Sequence, residues 1–87
     1  MLNLSRISVA RGDFRLRYGT EPTRIVCSLA NKRAFAISTA RKKYPPRLDL
    51  AEALESGEID VASYSLRLMG MRVDVSDGLG DDNFVLS

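Results

Sequence analysis

The chain contains no histidine, no tryptophan and only one cysteine, Cys27. Histidine is the usual acid–base group near neutral pH and the commonest metal ligand, so its absence removes most familiar catalytic and metal centres. A lone cysteine forms neither an internal disulfide nor a zinc site by itself. Cys27 lies in an apolar stretch and is expected to pack rather than to act as a nucleophile. We therefore expect no enzyme activity, no catalytic residues, no metal and no cofactor.

Long apolar runs are also missing. No stretch of the 87 residues approaches the roughly 20 consecutive apolar residues that a membrane-spanning helix needs. The first residues show no continuous apolar segment of the kind found in signal peptides. A single cysteine suits a reducing compartment. The sequence therefore predicts a cytoplasmic protein without membrane contact.

Acidic residues are scarce in the first half of the chain and abundant in the second. Residues 1–47 carry eleven basic residues against only Asp13 and Glu21, a formal charge of +9. Residues 48–87 carry nine acidic residues against only Arg67 and Arg72, a formal charge of −7. The net charge of +2 hides this division. A segment with so much positive charge needs anions, either from a nucleic acid or from the acidic half of the same or a second chain.

The first third of the chain shows alternating apolar residues. Residues 3–10 and 13–18 are predicted to form two strands joined by a turn at Gly12, and residues 24–28 a third strand. In the second strand, alternation places Arg15 and Arg17 together on one face. Arg6 is expected to join them from the neighbouring strand, which would give the sheet an arginine-rich, wet face.

The rest of the chain is predicted to be mainly helical. Residues 31–44 favour a helix with Asn31 as its N-cap, although the alternation over residues 33–39 also allows a strand. The double proline that follows ends this element. Residues 49–57 and 60–69 are predicted to be two short helices, and residues 71–75 a closing strand.

These elements predict an α+β fold. A small antiparallel sheet of three to four strands, N-terminal β-β-β plus a late strand, would pack on two or three short helices. Residues 1–75 are predicted to form one compact domain, basic over 1–47 and acidic over 48–75. Residues 76–87 are predicted to be an acidic, mobile tail.

The charge division favours a small, non-catalytic DNA- or RNA-binding accessory or regulatory protein. Arginine binds phosphate bidentately, and an arginine-rich sheet face would supply the main contacts. The later basic residues would add phosphate contacts. The predicted nucleic-acid-binding residues are Arg6, Arg15, Arg17, Arg33, Arg41, Lys42, Lys43 and Arg47.

The alternative interpretation is a protein-binding module, such as a phage- or plasmid-type inhibitor of a host nucleic-acid-handling machine of the anti-CRISPR or anti-restriction type. Its acidic half would imitate the charge of DNA. A homodimer in which opposite-charge halves of two copies pair is a further option. A helix-turn-helix over residues 49–68 is disfavoured because its second helix would be acidic. The predicted protein-binding residues are Glu52, Glu55, Glu58 and Asp60.

Overall fold

A computed structural model describes residues 2–87 as three helices and one four-stranded sheet. The elements are α1 (Leu4–Tyr18), β1 (Arg24–Cys27), α2 (Leu29–Lys42), α3 (Leu48–Ser56), β2 (Arg67–Leu68), β3 (Met71–Val75) and β4 (Val85–Leu86). The strand order is β2-β3-β1-β4. The predicted α+β class is confirmed. The predicted antiparallel sheet is wrong, because β1 and β3 pair in parallel while the two outer pairings are antiparallel.

One face of the sheet forms the core. Ile25 and Cys27 of β1 and Met71 and Val73 of β3 are fully or almost fully buried. They belong to one apolar cluster with Phe35 and Ala36 of α2. The intervening strand residues project to the opposite side, because side chains alternate along a strand. We call this opposite side the open face.

The N-terminal segment is a helix, so the predicted strands over residues 3–10 and 13–18 are wrong. The side chain of Asn3 caps α1 by accepting from the backbone N–H of Arg6 at 2.9 Å. Ile7 is fully buried and Phe14 is half-buried. These two residues are seven positions apart, a spacing that returns to the same side of a helix. The helix thus buries one apolar stripe that strand alternation would have divided between two faces.

The predicted helix over residues 31–44 is confirmed, with a different start. Ser28 caps α2, and its hydroxyl accepts from the backbone N–H of Asn31 at 3.2 Å. The side chain of Asn31 is fully buried and joins distant parts of the chain. Its amide donates to the backbone carbonyl of Asp81 at 2.8 Å, and its oxygen accepts from the N–H of Leu2 at 3.4 Å. Residues 33–39 do not form the alternative strand.

The short helix predicted over residues 49–57 corresponds to α3, which ends at Gly57 in the left-handed conformation. The helix predicted over 60–69 is absent. The carboxylate of Asp60 accepts from the N–H of Ala62 at 3.1 Å and from the hydroxyl of Ser63 at 3.0 Å, which favours a turn. Strand β2 follows this turn, so no second helix is available for a helix-turn-helix.

A two-residue turn joins β2 to β3. Both of its residues have positive φ, 51° at Met69 and 79° at Gly70. This is the backbone pattern of a tight hairpin whose twist matches its strands. Residues 76–87, predicted to lie outside the compact domain as a tail, supply β4 to the sheet. Within residues 2–87, no helix is both long and apolar enough to cross a membrane.

Candidate anion-binding face of the sheet

Three arginines lie side by side on the open face. Arg72 of β3 is paired in register with Arg67 of β2 on one side and with Arg24 of β1 on the other. Residues paired directly across strands project to the same face. Neighbouring strands are about 4.8 Å apart, so the three positions span roughly 10 Å across the sheet. We call Arg24, Arg67 and Arg72 the arginine row.

A single carboxylate serves this row. The Nε–H groups of Arg24 and Arg72 both donate to Oδ2 of Asp74, the latter at 3.2 Å. The hydrogen bond from Arg24 holds the pKa of Asp74 below its usual value, and the charge of Arg72 acts in the same direction. Among residues 2–87, no carboxylate forms an ion pair with Arg67. Among side chains, the row therefore sets three positive charges against one negative charge.

The row borders a shallow surface hollow of about 310 Å³, which Thr23 and Ser87 also line. Asp74 binds the Nε side of two guanidinium groups, and their terminal N–H groups lie at the other end of the planar fork. That end forms the bidentate bonds that arginine makes to phosphate or carboxylate oxygens. The arrangement can therefore bind anionic oxygens at more than one point along a line.

The arginines predicted for a sheet face lie on α1 instead. A helix turns about 100° per residue, so Arg15 and Arg17 lie on opposite sides of α1. Arg15 bonds to Oε1 of Glu21 at 3.3 Å, and Arg11 bonds to its Oε2 at 3.3 Å. The guanidinium of Arg6 lies 5.9 Å from the ring centre of Phe84. The three predicted arginines are therefore not brought together.

The remaining predicted cations lie on α2 and in the loop after it. Arg41 forms an ion pair with Glu55 at 3.4 Å, and Arg47 forms one with Asp49 at 3.5 Å. Arg33, Lys42 and Lys43 are exposed. The predicted cations thus lie on α1, on α2 and in the loop after α2, and not on a sheet face.

The predicted acidic set is also divided. Glu55 is paired with Arg41, and Asp60 holds its own turn through Ala62 and Ser63. Glu52 lies on the exposed side of α3, and Glu58 is exposed just after that helix. Two of the four carboxylates are therefore held by intrachain contacts.

None of the three members of the arginine row was among the site residues predicted from the sequence. A signal was present for two of them, because Arg24 and Arg72 alternate with buried residues in segments predicted to be strands. No local pattern showed that these strands, 48 residues apart at Arg24 and Arg72, would be neighbours. Arg67 was placed in a helix that does not form.

The other reactive groups do not assemble into a centre. Cys27 is fully buried, and this burial raises the pKa of its thiol, which disfavours the nucleophilic thiolate. Within residues 2–87, no three side chains of the metal-binding types come together in a way that could hold a metal ion. The arginine row is the arrangement of charged side chains that best supports a function.

Comparisons with protein families, with curated proteins and with solved structures found no match to this chain. The geometry and charge of the open face are therefore the features that point to a function.

Proposed function

We propose that this chain is a small, non-catalytic nucleic-acid-binding protein whose open sheet face contacts the phosphate backbone. The supporting observation is the register of the arginine row, which aligns three guanidinium groups beside one carboxylate. Like charges placed directly opposite on neighbouring strands destabilise a sheet, and a bound anion would relieve this repulsion. The row is thus suited to an anion from outside the chain.

A linear polyanion fits the row better than a single small anion. Three arginines in a line about 10 Å long match the length of roughly three nucleotide steps of 3.4 Å each. The hollow beside them is shallow and lined by exposed residues, so it does not enclose a small ligand. Exposed cations elsewhere, at Arg33, Lys42 and Lys43, would add long-range attraction.

The chemistry of the open face favours phosphate contacts over reading of bases. Its other strand residues are Val26, Val85 and Asp74, none of which offers a ring for stacking. Proteins that bind single strands through their bases use aromatic side chains for that purpose. We therefore expect binding that tolerates many sequences and weakens as salt is added.

The size of the salt effect follows from the number of phosphates engaged. With three contacts, the logarithm of the association constant should fall with a slope of about −2.7 against the logarithm of salt concentration on duplex DNA. Affinity would then drop roughly 40-fold between about 50 and 200 mM salt.

The experiment compares two triple variants that remove equal charge. In the first, Arg24, Arg67 and Arg72 are replaced by Gln; in the matched control, Arg33, Lys42 and Lys43 are replaced by Gln. Fluorescence anisotropy with labelled duplex DNA, single-stranded DNA and RNA measures affinity and its salt dependence. We expect the first variant to lose at least about tenfold in affinity at 50 mM salt and most of the salt slope. Equal losses in both variants, or no binding by the unaltered protein at about 50 mM salt, would contradict the proposal.

The protein-binding alternative has less support from the geometry. Glu55 and Asp60, two of its four carboxylates, are held by intrachain contacts. The pairs Arg41–Glu55 and Arg47–Asp49 already join basic and acidic halves within one chain. This pairing also weakens the argument for a homodimer of opposite-charge halves.

A further inference from the structure

The outward side of α1 carries a line of small and apolar residues that the rest of the fold leaves exposed, apart from a hollow that Ser5 and Val9 share with Phe84. Ser5, Val9, Gly12 and Leu16 are separated by four, three and four positions, so they follow one line along the helix. The side chains of Val9 and Leu16 are 65% and 86% exposed. The line lies away from buried Ile7. We call these four residues the outer seam.

Gly12 is unexplained by the fold of a single chain. Glycine inside a helix costs about 0.5–1 kcal/mol relative to alanine. Its backbone does not have the positive φ that favours glycine, and a Cβ added there would meet nothing within 4 Å. The fold therefore has no internal need for a residue without a side chain at this point. A second helix that approaches closely would create such a need.

We infer that the outer seam is a docking surface for α1 of a second copy, arranged antiparallel about a two-fold axis. An antiparallel pair centred between positions 10 and 11 places Val9 against Gly12 of the second copy. It also places Leu16 against Ser5 of the second copy. Each layer then joins one large and one small side chain, which is the packing that fills space at close approach. A parallel pair would place Gly12 on Gly12 and leave a void.

The charges beside the seam support the same arrangement. Asp13 forms no ion pair within residues 2–87, although it lies on a helix rich in arginine. In an antiparallel pair, residues on one flank of the seam face the same flank of the other copy. Asp13 then lies within about two residues, or roughly 3 Å along the axis, of the level of Arg6 of the second copy. The two-fold axis produces this contact twice.

The size of the seam indicates a weak association. A helix of 15 residues is about 22 Å long. One such helix buries less than the roughly 800 Å² per partner of a standard interface. The dimer should therefore form reversibly as protein concentration rises. This inference does not depend on the proposed function, because none of the seam residues belongs to the arginine row.

Sedimentation velocity of the full chain tests the association. The unaltered protein should shift from monomer to dimer between about 5 μM and about 1 mM, the range expected of a small interface. The variant Gly12→Gln should weaken dimerisation at least about tenfold, because a long polar side chain would occupy the space taken by Val9 of the second copy. Glutamine favours helix over glycine, so this variant should remain folded and gain helix stability.

The matched control is Ala30→Gln, at an exposed position on α2, which should leave the dissociation constant unchanged. A chain that remains monomeric over the whole range would overturn the inference. An unchanged dissociation constant for Gly12→Gln would overturn it as well.

Disulfide crosslinking tests the direction of the pair. A mixture of Ser5→Cys and Leu16→Cys proteins should crosslink under mild oxidation, because these positions oppose each other. Each variant alone should not, since two copies of position 5 lie about 16 Å apart along the axis, far beyond the roughly 7 Å reach of a disulfide. The native Cys27 is fully buried and should not interfere. Crosslinking by either variant alone would overturn the antiparallel arrangement.

Discussion

Two carboxylates in this molecule each bridge two arginines. One of the two clusters belongs to the proposed binding face, and the other is a local contact beside a helix. Asp74 joins Arg24 and Arg72 on the sheet. Glu21 joins Arg11 and Arg15 beside α1. In both places the arginines lower the pKa of the carboxyl group, chiefly through a hydrogen bond from one guanidinium. The local chemistry of the two clusters is thus the same.

The two clusters differ in where the next arginine lies. Strand register places Arg67 beside Arg72 as a third cation with no ion pair among residues 2–87. On α1 the next arginine, Arg17, lies on the opposite side of the helix from Arg15. Register therefore extends a row of charges, whereas helical rotation disperses them. Only the sheet cluster has excess positive charge arranged in a line.

The largest predicted effect is on stability, and it comes from a core residue beneath the sheet. Ile25, which follows Arg24 in β1, is fully buried on the core side of the sheet. Ile25→Ala should lower the free energy of unfolding by about 2–4 kcal/mol, through lost burial and a remaining cavity. Leu16→Ala on α1, where the side chain is 86% exposed, should change it by less than about 0.5 kcal/mol. Urea unfolding followed by circular dichroism measures both; similar costs would contradict the described packing.

Charge reversal compares the two clusters in binding. Arg72→Glu should reduce affinity for duplex DNA about tenfold at low salt, because it removes the central phosphate contact of the row and adds repulsion. Arg15→Glu changes net charge equally but should reduce affinity much less, since Arg15 lies outside the row. Anisotropy titrations at about 50 mM salt give both values. A larger loss of affinity for Arg15→Glu would indicate that the nucleic acid binds at α1 and would contradict the proposed face.

Two glycines, Gly12 within α1 and Gly19 directly after it, test how this helix is built. Gly19 ends the helix with φ 72°, and its N–H donates to the carbonyl of Arg15 at 2.9 Å. Gly19→Ala should destabilise the protein by about 1 kcal/mol, because alanine is strained in this conformation. Gly12→Ala should instead stabilise it by roughly 0.5–1 kcal/mol through better helix propensity. Thermal unfolding at low protein concentration would show shifts of opposite sign; shifts of the same sign would contradict the assigned helix end.

The smallest effect concerns pH. The pKa of Asp74 is lower in the folded chain than in the unfolded chain, so the unfolded state binds more protons as pH falls. The stability that Asp74 contributes is present above the ordinary aspartate pKa near 3.8 and is lost as pH falls through the lowered value. Because the arginines are partly exposed, we expect less than about 1 kcal/mol. The stability difference between the unaltered protein and Asp74→Asn should therefore shrink below about pH 4. A constant difference from pH 7 to pH 2 would argue against this ion pair.

The sequence predicted elements well where one pattern dominated. Helices α2 and α3 and strand β3 form on the segments predicted as helix over 31–44, helix over 49–57 and strand over 71–75, with the ends of the helices shifted by one or two residues. The strand predicted over residues 13–18 is wrong. Phe14, Leu16 and Tyr18 alternate as in a strand, but Ile7 and Phe14 also fit one side of a helix. Burial decided between them: the helix leaves Leu16 outside and covers Ile7.

The site was less predictable than the elements. An arginine-rich sheet face exists, but it is made by arginines that the sequence analysis did not choose. The row requires β1 and β3 to be parallel neighbours, and this pairing forms only after the chain between them, which includes α2, α3 and β2, crosses over and returns to the sheet. Strand β4 has only two residues, too few to show a period. Which arginines become neighbours is decided by the long-range pairing of strands, and no local sequence pattern shows that pairing.

The turn at Met69 and Gly70 has a consequence for how the site could change over time. These two residues carry no charge, yet they set the register that aligns Arg67 with Arg72. A single inserted residue here would slip β2 by one position and rotate the Arg67 guanidinium to the other side of the sheet. Ligand preference could thus diverge among descendants of this chain through a loop-length change alone, with every arginine retained.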